Sequence, residues 1–249
     1  MAEPVLGIDV GGSAIKAGAV DVATGILGGE LRSVPTPRPA TPPALISVFK
    51  QLAAAHPGTR PRIGVAFPSV IKRGVAHTAA NIDHSWIGAA AEQLTQQALG
   101  RPVLFLNDAD AAGMAEMRWG AGRGCNGTVI MLTLGTGIGT ALFTAGHLFP
   151  NTELGHLEVR GMDAEKRASA QARTRENLDF PAWAERVNEY LQAMQRLFWP
   201  DVFILGGAVS ERFAEFAPLL RSPAELRPAR FGNQAGVIGA ALAASDARP

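Results

Sequence analysis

The sequence is poor in cysteine, with Cys125 alone among 249 residues. A single cysteine excludes an internal disulfide and a zinc site built from several cysteines. An excess of charge of one sign is also missing, because 23 basic residues face 22 acidic ones and the formal net charge is +1. The chain therefore has no overall attraction for nucleic acid or for a membrane surface, and a polyanion site must come from local clustering.

Long hydrophobic runs are absent as well, since none approaches the roughly 20 apolar residues that a membrane span needs. The N-terminus lacks a basic segment and Asp9 interrupts the first apolar run, so we expect no signal peptide and a cytoplasmic location. With 47% hydrophobic and 18% charged residues, the chain can bury a large core. We expect one large domain or two modest ones.

Two Gly-rich segments, residues 6–16 and 132–140, share one pattern: a strand breaks into a turn and resumes as another strand. Asp9 and Thr133 hold equivalent places in them, and the turns contain Gly11, Gly12 and Ser13 in the first and Gly135, Thr136 and Gly137 in the second. Glycine permits φ > 0 and close backbone approach, so such turns can direct several N–H groups at phosphate oxygens. Lys16 adds a positive charge, and Asp9 would hold Mg²⁺, directly or through water.

Either segment alone is compatible with a plain β-hairpin. Their repetition half a chain apart favours a protein of two similar halves that holds a phosphoryl chain, and hence a phosphotransferase. Neither segment has the Walker A spacing or the spacing of a dinucleotide site. P-loop NTPases and Rossmann dehydrogenases are therefore excluded.

Periodicity along the chain predicts the same order of elements twice. The first half should contain strands over 5–10 and 15–20, a third from near Gly28, a helix over 44–55, a strand over 63–67, a helix over 86–99 and a strand over 103–106. The second half should contain strands over 128–134 and 139–143, a helix over 183–198, a strand over 201–205 and a helix over 236–244. This order predicts mostly parallel α/β layers. We place a small N-terminal α/β domain at 1–106, completed by a C-terminal helix at 236–249, and a large α/β domain at 107–235.

Asn107 and Asp108 follow the strand predicted over 103–106. Open α/β sheets place ligands at strand C-terminal ends, and a kinase acting on an alcohol needs a carboxylate to accept the hydroxyl proton. The same pair is also typical of an Asx-turn or a helix N-cap, a role that Asp110 fits better than Asp108. Asp108 is therefore a candidate base, with capping as the alternative.

A further polar group, Glu153 and His156, follows the second Gly-rich segment, with Glu158 and Glu165 beyond it. Carboxylates and a histidine on one face can bind the vicinal hydroxyls of a sugar. We expect no zinc there, because no cysteine is near and no third ligand stands at metal spacing. Residues 160–175 hold five basic residues against two acidic ones, which indicates either a solvated helix face or a track for a long phosphate chain.

Together these motifs resemble the ROK sugar kinases, which have the actin-like ATPase fold. The matching segments are Asp9-x-Gly-Gly-Ser-x-x-Lys16, Asn107-Asp108, Leu134-Gly-Thr-Gly-Ile-Gly139, Glu153-x-Gly-His156 and Leu205-Gly-Gly. Within that family the chain is similar to the polyphosphate glucokinases, through Asp163-Ala-Glu-Lys-Arg-Ala-Ser169, Trp199-Pro-Asp-Val-Phe-Ile-Leu-Gly-Gly207 and Asn233-Gln-Ala-Gly-Val-Ile-Gly239. The resemblance implies an α/β, actin-like (ribonuclease H-like) two-domain sugar kinase with a cleft between similar halves.

The resemblance also implies roles for single residues. Asp108 would deprotonate the glucose 6-hydroxyl, and glucose would be bound by Asn81, Asn107, Asp108, Glu153, His156 and Glu165. The phosphates of inorganic polyphosphate would be bound by Asp9, Gly11, Gly12, Ser13, Lys16, Gly135, Thr136, Gly137, Lys166 and Arg167. The product would be glucose 6-phosphate.

The implied cofactor is Mg²⁺ near Asp9, with no zinc, because the stretch that carries a Cys-x-Cys-Gly-x-x-Gly-Cys motif in typical relatives is deleted here. The implied assembly is a homodimer, with neither nucleic acid nor membrane as a partner. ATP stays open as a donor, with Gly206 and Gly207 holding the nucleotide, and mannose stays open as an acceptor. The non-enzyme alternative is a sugar-responsive ROK regulator, which would need an N-terminal helix-turn-helix domain, whereas here the first strand begins by Val5.

Overall fold

The computed structural model describes residues 3–247, which form two compact units. Unit 1 comprises the described residues up to Ala115 together with those from Gln234 onward, and unit 2 is Glu116–Asn233. The chain thus passes between the units twice, once inside a helix and once beside Asn233. None of the helices in the described range is long and apolar enough to cross a membrane.

Unit 1 is built on one mixed sheet flanked by helices. Its elements in chain order are β1 (Val5–Val10), β2 (Ala14–Asp21), β3 (Ile26–Leu27), β4 (Arg32–Pro35), α1 (Pro42–Ala54), β5 (Ile63–Phe67), β6 (Ile71–Lys72), β7 (Val75–Ala76), a 3-10 turn (His84–Trp86), α2 (Ala91–Leu99), β8 (Val103–Asn107) and the start of α3 (Asp108–Trp119). The sheet runs β3-β2-β1-β5-β8, with β4 also paired to β2. β1 is antiparallel to β2 but parallel to β5, which is parallel to β8.

Close packing of a small-residue helix on this sheet explains two buried glycines. The helix that ends the described chain lies against β1 and β5. A Cβ added at Gly7 would lie 2.0 Å from the Val237 carbonyl oxygen, and one at Gly64 would lie 1.9 Å from that of Ala240. No larger residue fits at either strand position, because protein interiors hold few voids.

Unit 2 repeats this plan. Its elements are the end of α3, β9 (Thr128–Leu134), β10 (Ile138–Thr144), β11 (His147–Phe149), a 3-10 turn (Leu154–His156), β12 (Glu158–Val159), β13 (Met162–Asp163), α4 (Ala164–Ala168), α5 (Ala170–Arg175), α6 (Phe180–Phe198), β14 (Val202–Gly206), a 3-10 helix (Ala208–Arg212), α7 (Phe213–Phe216), a 3-10 turn (Ala217–Leu219) and β15 (Glu225–Pro228). A 3-10 turn (Gly232–Gln234) and α8 (Ala235–Asp246) return the chain to unit 1. The sheet runs β11-β10-β9-β14-β15.

α6 forms because an apolar stripe recurs at helical spacing and its ends are capped. The Asp179 side chain accepts a hydrogen bond from the Ala182 N–H, which satisfies a free N-terminal donor. Trp183, Tyr190 and Met194 of the stripe are fully buried on the sheet. Trp199 ends the helix in the left-handed conformation.

Unit 2 also contains a fully buried carboxylate, Glu116, near the end of α3. It accepts three backbone hydrogen bonds at 2.7–2.8 Å, from Ala121, Arg230 and Phe231. A buried carboxylate without partners would be costly, whereas three N–H donors compensate its charge. Glu116 thereby fixes the segment before Gly232 to α3.

The predicted elements are largely confirmed, with three corrections. The helix over 86–99 is wrong in its first turn: Trp86 belongs to a 3-10 turn, Gly88 takes a left-handed φ of 82°, and α2 begins only at Ala91. The third strand ends before Gly28 rather than starting there. The layers are mixed rather than mostly parallel, because each sheet begins with antiparallel hairpin pairings.

Candidate functional site

The first Gly-rich turn joins β1 to β2 and places Asp9 directly opposite Lys16. The turn closes through a hydrogen bond from the Gly11 N–H to the Ala14 carbonyl, and Ser13 is exposed at its tip. The Thr36 side chain stabilises the turn, because its hydroxyl donates a hydrogen bond to the Gly11 carbonyl at 2.6 Å. The hairpin is therefore a fixed loop with its tip open to solvent.

Asp9 is partly buried beside the first turn of α8. A Cβ added at Gly236 would lie 2.6 Å from the Asp9 Cγ, so only glycine leaves room for the carboxylate. Burial raises the pKa of Asp9 from 3.8 to about 6, and the charge of Lys16 partly opposes that rise. A carboxylate that is costly to ionise in this position is suited to a cation, because a bound cation would favour its charged form.

Asn81 lies against the same turn. A Cβ added at Gly12 would lie 3.0 Å from the Asn81 Cβ, and Asn81 itself has a left-handed φ of 61°. Asparagine tolerates this conformation better than most residues. The structure thus brings a predicted sugar ligand next to the predicted phosphate loop.

Asn107 and Asp108 lie at the C-terminal end of β8, two strands from Asp9 in the same sheet. β5 separates them, with Ala66 beside Asp9 and Phe67 beside Asn107. With neighbouring strands about 4.8 Å apart, Asp9 and Asn107 are about 10 Å apart along the sheet edge. These are the carboxyl ends of the parallel strands β1, β5 and β8, where α/β sheets bind ligands.

The capping alternative applies to Asn107, and the expectation for Asp110 is wrong. The Asn107 Oδ1 accepts hydrogen bonds from the Ala109 and Asp110 N–H groups at 2.9 and 3.1 Å, while its Nδ2 donates to the Ser69 carbonyl. Asn107 is therefore the N-cap of α3, and Asp110 is buried within the first turn. Asp108 is the first residue of α3, where the helix terminus favours a negative charge.

In unit 2 the second Gly-rich turn joins β9 to β10 and occupies the place that the first turn has in unit 1. Thr133 pairs with Gly139 and with Gly206, as Asp9 pairs with Lys16 and Ala66. Thr136 is exposed at the tip, and the Gly135 N–H donates to the Gly137 carbonyl. The predicted repetition is thus present in strand order and register.

Gly11, Gly12 and Gly137 leave room for close neighbours rather than supplying a left-handed φ, whereas a Cβ added at Gly135 would meet no atom within 4 Å. None of Gly11, Gly12, Gly135 and Gly137 has a left-handed φ, so that part of the expectation is wrong. A Cβ at Gly137 would lie 2.4 Å from the Glu165 Oε2, which also accepts from the Ile138 N–H. Glu165 is in this way fixed to the second turn.

His156 lies among three carboxylates. Its Nδ1 is 3.5 Å from Asp163 Oδ2 and 3.9 Å from Glu165 Oε1, and its Nε2 is 3.8 Å from Glu153 Oε2. Burial raises the pKa of Glu153; the nearby His156 lowers it and the charge of Glu165 adds to the rise. The predicted residues Glu153, His156 and Glu165 thus lie together in one cluster of hydrogen-bonding groups.

We expected no third ligand at metal spacing near Glu153 and His156, and the structure shows that this expectation is wrong. One ligand atom from each of His156, Asp163 and Glu165 lies within 4.8 Å of the others. The tight hairpin of β12 and β13 places Asp163 near His156, and both of its turn residues, Arg160 and Gly161, have a left-handed φ. Gly161 readily takes the left-handed conformation that this two-residue turn requires, a turn signal that the sequence analysis did not use.

The predicted phosphate-binding residues Lys166 and Arg167 are engaged in ion pairs. Lys166 Nζ lies 3.1 Å from Asp163 Oδ2, and Arg167 lies 2.7 Å from Glu189 of α6. Gly206 and Gly207 lie at the end of β14. Gly207 has a φ of 85°, and a Cβ there would lie 2.4 Å from the Leu134 carbonyl oxygen, next to the second turn.

Comparison with known proteins agrees with this arrangement. Residues 5–172 match the model of the ROK family. The polyphosphate glucokinase of Mycobacterium tuberculosis is 46% identical over 238 residues, which cover 95% of this chain and 89% of that protein. The resemblance to ROK sugar kinases is confirmed.

Solved structures give the same result. The inorganic polyphosphate/ATP-glucomannokinase from Arthrobacter sp. strain KM has a TM-score of 0.93 and 46% identity, covering 98% of this chain and 99% of that chain. A ROK family glucokinase from Streptomyces griseus, solved with glucose and AMPPNP, has a TM-score of 0.83 and 26% identity, covering 98% of this chain and 100% of that one. The fold is that of the actin-like sugar kinases, and the chain belongs to the ROK family.

Proposed function

We propose that the protein transfers a terminal phosphoryl group from inorganic polyphosphate to the 6-hydroxyl of glucose, giving glucose 6-phosphate. The observation that carries this proposal is the 46% identity to a polyphosphate glucokinase over 95% of the chain. Support from the site comes from two equivalent Gly-rich turns, one with a carboxylate and a lysine beside it. Turns of this kind provide the backbone donors that phosphoryl transfer requires.

Asp108 is proposed as the base that accepts the proton of the 6-hydroxyl. Asp108 stands at the end of β8 and at the start of α3, the edge of the sheet where α/β proteins bind ligands. The residues proposed as ligands of the sugar hydroxyls are Asn81, Asn107, Glu153, His156 and Glu165. Since Asn107 Oδ1 caps α3 and one Nδ2 proton is donated to the Ser69 carbonyl, its contribution to the sugar would come from the second Nδ2 proton.

The phosphates are proposed to bind at both turns, with Lys16 as a point charge and Asp9 as the residue that holds Mg²⁺. Mg²⁺ bound there would neutralise charge on the phosphoryl oxygens. Lys166 and Arg167 would take part only by exchanging their carboxylate partners for phosphate. A homodimer and a cytoplasmic location are further proposals.

One assay tests the donor and the acceptor together. Purified protein with Mg²⁺ is given glucose and either long-chain polyphosphate or ATP at equal phosphoryl concentration, and glucose 6-phosphate is measured. We expect turnover with polyphosphate. ATP and mannose are included because the Arthrobacter relative is named for both donors and for both sugars. Turnover with ATP alone would reject polyphosphate as the donor.

Asp108→Asn tests the base. We expect turnover to fall by roughly 10² to 10⁴-fold, the usual contribution of general base catalysis, with glucose binding kept within about tenfold. Glu30→Gln, which changes an exposed carboxylate of unit 1, is the matched control. Substantial activity in Asp108→Asn would remove Asp108 as the base.

A further inference from the structure

The basic residues of 160–175 differ sharply in how their charge is compensated. Lys166 is paired with Asp163, Arg175 with Glu176, and both Arg160 and Arg167 with Glu189. Arg173 is different: among the residues that the structure describes, it has no carboxylate oxygen within 4.0 Å. Its guanidinium carbon instead lies 4.3 Å from the centre of the Phe180 ring. The one cation of this stretch that is stacked rather than paired is therefore Arg173.

A second arginine shares the same ring. The Arg212 guanidinium carbon lies 4.5 Å from the centre of Phe180, and we call Arg173, Phe180 and Arg212 the arginine stack. Arg212 donates from Nε and Nη2 to the Glu215 carboxylate, at 2.6 and 2.7 Å. These hydrogen bonds lower the pKa of Glu215, and the charge of Arg173 adds to that effect from a longer distance. A guanidinium has five N–H donors, so three remain available on Arg212.

The ring is held in a fixed place. Phe180 is the first residue of α6 and packs on Trp183 and Phe216, with ring centres 6.0 and 5.7 Å apart. Trp183 and Phe216 are fully buried. A guanidinium held on a fixed aromatic face loses little side-chain freedom when it binds an anion. Arg173 also has a buried Nε for which the structure shows no hydrogen-bond partner.

Both arginines stand on segments whose first residues lie close to the second Gly-rich turn. The Gln171 N–H donates to the Gly135 carbonyl at 3.0 Å, and Arg173 follows two residues later, about 3 Å further along α5. Arg212 ends the 3-10 helix that starts next to Gly207, whose backbone touches Leu134. A phosphate chain that ends at the turn would thus meet the arginine stack as it leaves.

We propose that the arginine stack binds phosphates of the donor chain beyond the one transferred, so that it favours long-chain polyphosphate over short donors. Arginine binds phosphate through two parallel N–H bonds, which Arg173 presents without first breaking an ion pair. Arg212 is paired with Glu215 and would contribute the three donors that this pair leaves available. The inference rests on the proposed function of this chain. It adds a binding role for Arg212 and separates Arg173 from its ion-paired neighbours.

The test uses Arg173→Gln, Arg212→Gln and the double variant in the full-length protein. KM is measured for long-chain polyphosphate, for tripolyphosphate and for ATP, with glucose saturating. We expect KM for long-chain polyphosphate to rise about tenfold in each single variant and further in the double variant, with KM for the short donors within about twofold. Arg221→Gln is the matched control, because Arg221 is an exposed arginine of unit 2 paired with a carboxylate of α6.

Binding of fluorescently labelled long-chain polyphosphate to the protein without glucose provides a readout that does not depend on turnover. If the wild type transfers no phosphoryl group but the variants still lose binding, the proposed function fails and the arginine stack stands. The proposal would be overturned if KM rose equally for long and short donors, or if Arg221→Gln raised KM for long-chain polyphosphate as much as the arginine-stack variants do. Arg212 is about half exposed, so its variant is expected to fold normally, which a thermal melt verifies.

Discussion

Replacing Asp9 by asparagine should stabilise the metal-free protein at neutral pH while it removes phosphoryl transfer. Burial raises the pKa of Asp9 from 3.8 to about 6. Between these values the folded protein holds a proton that the unfolded chain releases, so the free energy of unfolding falls as the pH rises through this window. The asparagine side chain in Asp9→Asn does not ionise, so the variant escapes this loss.

The magnitude follows from the two pKa values. At about 1.4 kcal/mol per pH unit, the difference between 3.8 and about 6 amounts to about 3 kcal/mol, which is present in full above pH 6. The same relation gives a gain of only about 0.5 kcal/mol at pH 4. For a chain of this size, about 3 kcal/mol corresponds to a rise in Tm of about 6 to 12 °C.

Urea unfolding at pH 4, 5 and 7 in the presence of EDTA measures the effect. The stability difference between Asp9→Asn and the wild type should grow with pH, whereas Asp246→Asn, an exposed change on α8, should show no such growth. Added Mg²⁺ should stabilise the wild type and not the variant, because a ligand that binds only the folded state stabilises it. A difference that is independent of pH, or an active variant, would refute this reasoning.

Two further predictions concern residues fixed by close packing. Gly236→Ala should displace the Asp9 carboxylate and lower turnover roughly a hundredfold with any donor. Gly29→Ala is the control and should be active, because a Cβ added at Gly29 would meet no atom within 4 Å. Full activity of Gly236→Ala would contradict the close approach of Gly236 to Asp9. In urea unfolding, Glu116→Ala should lower the free energy of unfolding by about 3 kcal/mol or more, because three buried N–H groups lose their acceptor. Glu116→Gln should lower it by less, and equal losses in the two variants would contradict this reasoning.

Much of the fold was predictable because periodicity and breakers agree along most of the chain. The strands at 5–10, 63–67 and 128–134 are apolar runs bounded by turn residues, and the structure has them at these bounds. The start of α2 was predicted too early, because Trp86 fits the helical spacing. The left-handed φ of Gly88 ends that local structure before the helix begins.

The candidate site was predictable where a motif repeats and not where distant segments meet. Asp9 and Thr133 were matched from local sequence, and strand register confirms the match. The close contacts of Gly236 with Asp9 and of Gly137 with Glu165 join segments 227 and 28 residues apart in the numbering, and no local pattern marks them. Only the three-dimensional structure shows that a side chain at these glycine positions would clash with a neighbouring carboxylate.

The basic stretch shows why charge along a sequence is a weak guide to a polyanion site. Glu189 lies 22 residues beyond Arg167 in the sequence, yet α6 returns its carboxylate to 2.7 Å from that guanidinium. Such pairs leave little free charge, because a phosphate must first displace a carboxylate. Arg173 is stacked on an aromatic ring and has no carboxylate oxygen within 4.0 Å among the described residues, so its surroundings identify it better than its place in a run of basic residues. On this reasoning the unpaired Arg173 is the first contact proposed for the donor chain, and Arg212, which lies 39 residues further on and shares its ring, would add only the donors that Glu215 leaves available.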